Sequence, residues 1–148
     1  MSAPELDRAQ RVFPVQHYAV GREKIREYAR AVGETNPLHL DLDTARAGGY
    51  PDLVAPPMFA AVYAASAFEH AMHDPELAID FEMLLHGGQE FEWGELVVAG
   101  DEIATQISLV DVSERVGMRF YIFRSISRNQ RDTEVSRGTW TVIVRPRP

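Results

Sequence analysis

The segment 56–72, PPMFAAVYAASAFEHAM, decides the fold of this chain. Proline is tolerated in the first turn of a helix, alanine is the best helix former, and the pair Asp74-Pro75 ends the run. The pattern therefore predicts a central helix over 57–72. This helix is apolar on almost every side as far as Glu69, so we expect nearly all of its faces to be buried. The rest of the chain must wrap around it.

The residues that follow this helix alternate between apolar and polar types. A period of two, with many β-branched and aromatic residues, is typical of strands. The pattern predicts four of them, at 89–93, 102–112, 118–127 and 136–144. The connections are short and contain turn residues, which favours antiparallel neighbours. One buried helix wrapped by an antiparallel sheet is an α+β architecture.

The residues before the central helix predict two shorter elements. Apolar side chains at helical spacing in 20–32 indicate an amphipathic helix, and 42–47 indicate one further turn that ends at Gly48 and Gly49. Residues 1–14 are interpreted as a flexible leader. The whole chain, 1–148, has the length of a single domain with one core.

The composition excludes several classes of function. The 148 residues carry 15 basic and 22 acidic side chains, a formal net charge of -7, which argues against nucleic acid or a membrane surface as the partner. There is no cysteine, so disulfides, thiolate metal sites and cysteine nucleophiles are excluded. No signal peptide and no membrane span is recognisable, and we expect a cytoplasmic protein.

The stretch AVGETNPLHLD, residues 31–41, carries the candidate chemistry. Proline fixes its own φ and disfavours helical backbone in the residue before it, so the helix breaks near Asn36 and the chain turns. The turn can bring His39 back toward Glu34. A carboxylate and an imidazole around one small volume can handle a water molecule and a proton, as the hydration of a polarised double bond requires. The structural alternative is that Glu34 caps a helix end and His39 packs as a loop residue.

These residues resemble the signature of the MaoC-type dehydratases, also called (R)-specific enoyl-CoA hydratases, which reads Gly-Asp-x-Asn-Pro-x-His. Residues 33–39 have that spacing, with Glu34 at the aspartate position. The segments 18–28, 53–59, 86–91 and 97–101 resemble the N-terminal-type MaoC subgroup. That subgroup includes (3R)-hydroxyacyl-acyl-carrier-protein (ACP) dehydratase subunits of actinobacterial fatty-acid elongation. The resemblance covers the chain from about residue 16 to residue 144.

The resemblance implies a single hotdog domain, in which an antiparallel sheet cradles the central helix and two such units join side by side. It implies reversible hydration of trans-2-enoyl thioesters of CoA or ACP to (3R)-hydroxyacyl thioesters, without a metal or redox cofactor. The catalytic pair carried over is Glu34 and His39. The residues expected to bind substrate are Asn36, Pro57, Met58, Phe59, His86 and Gly87.

Two positions depart from the family pattern. Glu34 has one methylene more than aspartate, which moves the carboxyl by roughly 1.5 Å and can cost about a hundredfold in rate. Pro56-Pro57 stands where active hydratases show His-Gly, and proline has no N–H, so the amide of Met58 or Phe59 must stabilise the thioester oxygen.

The assembly and the activity leave alternatives open. A sheet around one helix has exposed edges, which predicts a homodimer or a heterodimer with a second hotdog subunit. Some chains of the subgroup bind the acyl group for a separate catalytic hotdog. The alternative to a hydratase is therefore a non-catalytic acyl-binding subunit. Thioester hydrolysis on the same scaffold is a third possibility.

Overall fold

The computed structural model describes residues 11–148, and its centre is one antiparallel sheet of five strands. Their spatial order is β1-β3-β4-β5-β2. The strands are β1 (Gln16–Ala19), β2 (Leu84–Trp93), β3 (Glu102–Arg115), β4 (Met118–Arg128) and β5 (Glu134–Val144). All four strand pairings are antiparallel. The predicted α+β architecture is confirmed.

Two features of the sheet differ from the sequence prediction. The alternation pattern does not predict β1, a strand of four residues that is too short to show a clear period. The strand β2 begins at Leu84 rather than at residue 89, because a bulge between His86 and Gly88 interrupts its alternation. Gly87 lies in this bulge, where an added Cβ would be 2.7 Å from Cδ1 of Ile143.

The connection between β1 and β2 contains the helices. The helix α1 (Arg22–Ala31) lies within the predicted range, and α2 (Leu42–Ala47) has the predicted bounds. Asp41 caps α2, because its side chain accepts a hydrogen bond from the amide of Thr44 at 2.9 Å. Among residues 11–148, no helix has the length and apolar character needed to cross a bilayer.

The central helix is present but irregular. Two 3-10 turns, Pro57–Phe59 and Ser66–Phe68, alternate with the short helices α3 (Ala60–Ala65) and α4 (Glu69–Met72). The Ser66 hydroxyl donates to the carbonyl of Tyr63 at 3.1 Å, a local bond that competes with regular helix geometry. The expectation that nearly every face is buried is wrong, since Ala65 and Ser66 are exposed. A single sheet covers only one side of a helix.

The core lies between the central helix and the sheet. The ring of Phe59 is fully buried and meets the rings of Tyr18, Tyr28 and Tyr63 at centroid distances of 6.2, 5.5 and 6.3 Å. Further along the helix, Phe68 packs edge-on against the ring of Trp140 at 4.7 Å. Aromatic side chains therefore fix the helix on the sheet at both positions.

Residues 11–13 are held against β3, which corrects the prediction that they belong to a flexible leader. Phe13 is buried, and its amide donates to the carbonyl of Ile107 at 2.9 Å. Arg11 forms an ion pair with Asp74 at 2.7 Å. The chain is held here because Phe13 supplies apolar surface to the core. The rest of the predicted leader, 1–10, lies outside the described residues.

A bidentate ion pair connects the start of α1 to the loop before the central helix. Arg22 Nε and Nη2 donate to Asp52 Oδ1 and Oδ2 at 3.0 and 2.7 Å. These hydrogen bonds hold the pKa of Asp52 below its usual value. A carboxylate with a depressed folded pKa stabilises the fold above its unfolded pKa of about 4, and this contribution is lost as pH falls through the folded pKa.

We therefore expect Asp52→Asn to lower the Tm at pH 7, and the difference from the parent to shrink below about pH 4. Thermal unfolding followed by circular dichroism across this pH range measures it. Asp111→Asn is the control, because Asp111 is exposed and has no ion pair among residues 11–148. A Tm difference for Asp52→Asn that is the same at pH 7 and pH 3 contradicts the expectation.

Candidate active site

The predicted turn begins earlier than Asn36. Helix α1 ends at Ala31, and Gly33 follows with φ +73°, a left-handed conformation that glycine adopts without strain. Glu34 therefore lies after the helix, with its amide donating to the carbonyl of Ala29 at 2.8 Å. Asn36 then caps the 3-10 turn Pro37–His39, as its Oδ1 accepts from the amide of Leu38 at 3.0 Å.

The imidazole of His39 is buried and held in one orientation. Its Nδ1 lies 2.6 Å from the carbonyl oxygen of Val54, and only 7% of the residue is exposed. A carbonyl oxygen can only accept a hydrogen bond, so Nδ1 carries the proton. In the neutral ring, Nε2 then has the free lone pair, as an acid–base catalyst requires. The Val54 amide also donates to the carbonyl of Leu38 at 3.0 Å. Two hydrogen bonds therefore join the 3-10 turn that carries His39 to Val54.

The carboxylate of Glu34 is bound by its own turn. Its Oε1 accepts from the amides of Thr35 and Asn36 at 3.0 and 3.2 Å. Within the described chain, Oε2 accepts no hydrogen bond, and neither a hydrogen bond nor an ion pair joins Glu34 to His39. Glu34 thus stabilises the turn through one oxygen, while the other oxygen is available to a further partner.

The entrance of the central helix offers one free backbone donor. The amide of Phe59 donates to the carbonyl of Pro56 at 2.9 Å, whereas the amide of Met58 has no acceptor among residues 11–148. Of the two amides considered for the thioester oxygen, Met58 supplies the available one. The prediction that Phe59 binds substrate is not supported, because its amide is engaged and its ring is in the core.

An apolar cavity of about 370 Å³ opens beside this entrance. Its lining includes Pro57, Ala60, Tyr63, Trp93, Leu96 and Val135, together with Ala55, the neighbour of the residue that holds His39. The indole N–H of Trp93 donates to the carbonyl of Pro57 at 3.0 Å and joins the end of β2 to the helix. Sequence reasoning leaves open whether Tyr63 lines the core or an acyl tunnel, and the structure places it in the cavity lining. It missed Trp93 and Val135, because they meet the helix only when helix and sheet pack together.

The charge at this cavity is neutralised within the protein. Glu95 is the charged residue in the lining, and its carboxylate accepts hydrogen bonds from Arg131 at 2.9 Å and from Asn129 at 2.6 Å. The bond from Arg131 holds the pKa of Glu95 below its usual range. Across residues 11–148, no three side chains of metal-ligating type are grouped closely enough to hold a metal ion.

Within a single chain, His86 and Gly87 lie far from this cavity. Their predicted role in substrate binding therefore has no support from the site of their own chain. Trp93, at the end of β2, contacts Pro57, whereas His86 lies near the start of β2, roughly 20 Å away at the rise of a strand. The His86 ring packs edge-on at 6.3 Å from Trp140. Gly87 has a local role in the bulge, where a side chain would collide with Ile143.

Comparison with known proteins agrees with this architecture. The family described as FAS1-like, dehydratase domain region, matches residues 10–137. A UPF0336 protein of Saccharopolyspora erythraea is 41% identical over 112 residues, 76% of this chain and 72% of that protein. A UPF0336 protein of Clavibacter michiganensis subsp. michiganensis is 38% identical over 136 residues, 91% of each chain.

The similar solved structures include dehydratases. A MaoC-like dehydratase has a TM-score of 0.82 and 27% identity over 93% of this chain, which spans 42% of that structure's length. The HadBC (3R-hydroxyacyl-ACP dehydratase) complex of Mycobacterium tuberculosis has a TM-score of 0.80 and 26% identity, covering 94% of this chain and 98% of that one. The chain therefore belongs to the FAS1-like dehydratase domain family, and it has the hotdog fold of the MaoC-like dehydratases.

Proposed function

We propose that this protein reversibly hydrates trans-2-enoyl thioesters of CoA or ACP to (3R)-hydroxyacyl thioesters. The observation that carries the proposal is the fixed ring of His39. Its Nδ1 is bound to the carbonyl of Val54, so Nε2 is the nitrogen left to exchange a proton, and Ala55, which follows Val54, lines the apolar cavity. Family membership supports the same class of reaction.

In the proposed reaction, Glu34 and His39 act as one coupled acid–base pair. The oxygen of a water molecule bonds to C3 of the enoyl group and passes a proton to the pair. The pair delivers a proton to C2, so the carbon–carbon double bond becomes a single bond. Negative charge that develops on the thioester oxygen is stabilised by the free N–H of Met58. Dehydration follows the same steps in reverse.

The apolar cavity is the proposed site of the acyl chain. Transfer of a hydrocarbon chain out of water is favourable, and the walls around Ala60 and Val135 offer apolar atoms for it to contact. Pro57 lines the cavity and Met58 is the next residue, so the proposed pose puts the thioester near the Met58 amide. Of the predicted substrate-binding residues, Pro57 and Met58 are supported by this placement, and Asn36 acts by shaping the turn before His39.

Glu34→Gln tests whether the carboxylate takes part in chemistry. The amide oxygen of glutamine can accept the same two backbone hydrogen bonds, so the turn is retained, but the side chain no longer exchanges a proton. We expect kcat for crotonyl-CoA, followed by loss of its enoyl thioester absorbance, to fall by about 10²–10⁴-fold with an unchanged Tm. Glu102→Gln, at an exposed position of β3, is the matched control. Equal rates for the two variants show that Glu34 is structural.

The second candidate function is a non-catalytic acyl-binding subunit of a heterodimer. The observation that favours it is that the described cavity is lined by neither Glu34 nor His39. In addition, β2 is an edge of the sheet, and Leu85 and Trp93 on it are 42% and 54% exposed, which suits pairing with another hotdog subunit.

An assay of the chain alone and with a second hotdog subunit separates the two candidates. A homodimeric hydratase is supported if the purified chain alone turns over substrate and has twice its chain mass of 16.7 kDa in solution. Turnover that needs an added catalytic hotdog chain, together with co-elution of the two chains, supports the acyl-binding subunit. Release of free thiol instead of hydration indicates a thioesterase.

A further inference from the structure

A hydrogen bond joins the central helix to the sheet at Tyr63, one of the buried residues that line the apolar cavity. The hydroxyl of Tyr63 donates to Oγ of Ser136 in β5 at 2.8 Å. Both residues are buried, with 2% and 1% of their surfaces exposed. Burial raises the pKa of Tyr63 to about 12, so its hydroxyl stays protonated at neutral pH and remains the donor.

The residues of the central helix give the cavity a direction. Pro57, Ala60 and Tyr63 line it at intervals of three residues, which places them on one face of the helix. Pro57 is exposed, whereas Ala60 and Tyr63 are buried, so this face of the lining leads from the surface at Pro57 into the interior at Tyr63. At the helical rise this distance is roughly 9 Å.

We infer that Tyr63 is the residue that limits the length of the acyl chain, so that thioesters of short to medium chain length are the substrates. This rests on the proposed function, which places the acyl chain in the cavity. With C–C bonds of about 1.5 Å, an extended chain advances about 1.3 Å per carbon, and roughly six to eight carbons reach the phenol ring. A longer chain meets the ring and the bond to Ser136.

The bond to Ser136 makes this end of the cavity rigid. Displacing the phenol breaks a buried hydrogen bond and leaves the hydroxyl of Ser136 without a partner among residues 11–148. The Tyr63 ring is also packed against the ring of Phe59, at 6.3 Å between centroids. Both contacts oppose rotation of the side chain out of the path of a longer acyl group.

The test measures binding rather than catalysis. Saturated S-acyl pantetheines with 4 to 12 carbons carry the part common to CoA and ACP and cannot be hydrated, and calorimetry gives their Kd. For the parent, we expect Kd to decrease by about fourfold per methylene up to roughly eight carbons and then to stop decreasing. For Tyr63→Ala, the decrease continues, and the 10-carbon ligand binds at least about tenfold more tightly than to the parent.

Two further variants keep the test decisive. Tyr63→Leu shortens the side chain with less loss of packing, and it carries the test if Tyr63→Ala does not fold. Tyr63→Phe removes the hydroxyl but keeps the ring, so its length limit should stay that of the parent. A limit that is the same in the parent, Tyr63→Leu and Tyr63→Ala overturns the inference, as does a parent that shows no limit or no binding.

The inference and the proposed function fail in different ways. If the chain-length limit changes when Tyr63 is substituted but the protein does not hydrate crotonyl-CoA, the inference is supported and the protein fits an acyl-binding subunit. If the protein hydrates crotonyl-CoA but the chain-length limit is the same in the parent and the Tyr63 variants, the proposed function stands and the role of Tyr63 is overturned.

Discussion

Replacing His39 is expected to lower kcat for the hydration of crotonyl-CoA by about 10²–10⁴-fold, the usual contribution of a general acid–base group. The informative variant is His39→Asn. Its side-chain amide can still donate to the carbonyl of Val54, which Nδ1 of His39 contacts at 2.6 Å, but it has no equivalent of Nε2. The turn is thus retained while the acid–base atom is removed.

The matched control for this prediction is His17→Ala. His17 is an exposed residue of β1, so its loss changes the histidine content without touching the turn. Stopped-flow absorbance gives kcat, and circular dichroism gives the Tm of each variant. A folded His39→Asn protein with the rate of the control shows that the buried imidazole has only a structural role.

Phe59→Ala is expected to reduce the free energy of unfolding by about 3–5 kcal/mol, the usual range when a buried phenylalanine is truncated. The ring is fully buried among Tyr18, Tyr28 and Tyr63, so its removal leaves a cavity that rigid aromatic neighbours cannot fill. Urea unfolding measures the change.

Met58→Ala is the neighbouring control, because the Met58 side chain is 45% exposed. It keeps the backbone N–H proposed for the thioester oxygen, so it should change stability by less than about 1 kcal/mol. Similar losses of stability in the two variants contradict the placement of Phe59 in the core. Loss of substrate affinity without loss of stability in Phe59→Ala restores the sequence-based prediction that Phe59 binds substrate.

The sequence predicts those elements that have a long periodic pattern or clear residues marking their ends. Four strands show a clear alternation of apolar and polar residues, and α2 has a capping aspartate before it and two glycines after it. The strand β1 was missed because four residues show too little of a period, and it exists through pairing with β3. Helix α1 ends before Asn36 because Gly33 adopts a left-handed conformation. The Asn-Pro pair alone does not predict that conformation.

The candidate site was predicted only in part. Glu34, Asn36 and His39 are close in the chain, so a local motif can identify them. Within one chain the expected role of His86 has no support, because strand β2 carries it away from Pro57. The cavity residues Trp93 and Val135 come from separate strands, so no local motif identifies them.

The amino-acid order alone therefore determined the α+β architecture, the apolar helix, and the carboxylate–imidazole motif beside an Asn-Pro turn. These follow from the periodicity and backbone preferences of neighbouring residues. Only the tertiary structure decided which nitrogen of His39 carries the proton and which residues of helix and sheet meet around the cavity. Each of these depends on contacts between residues far apart in the chain, such as His39 with Val54 and Tyr63 with Ser136, and such contacts exist only once the chain has folded.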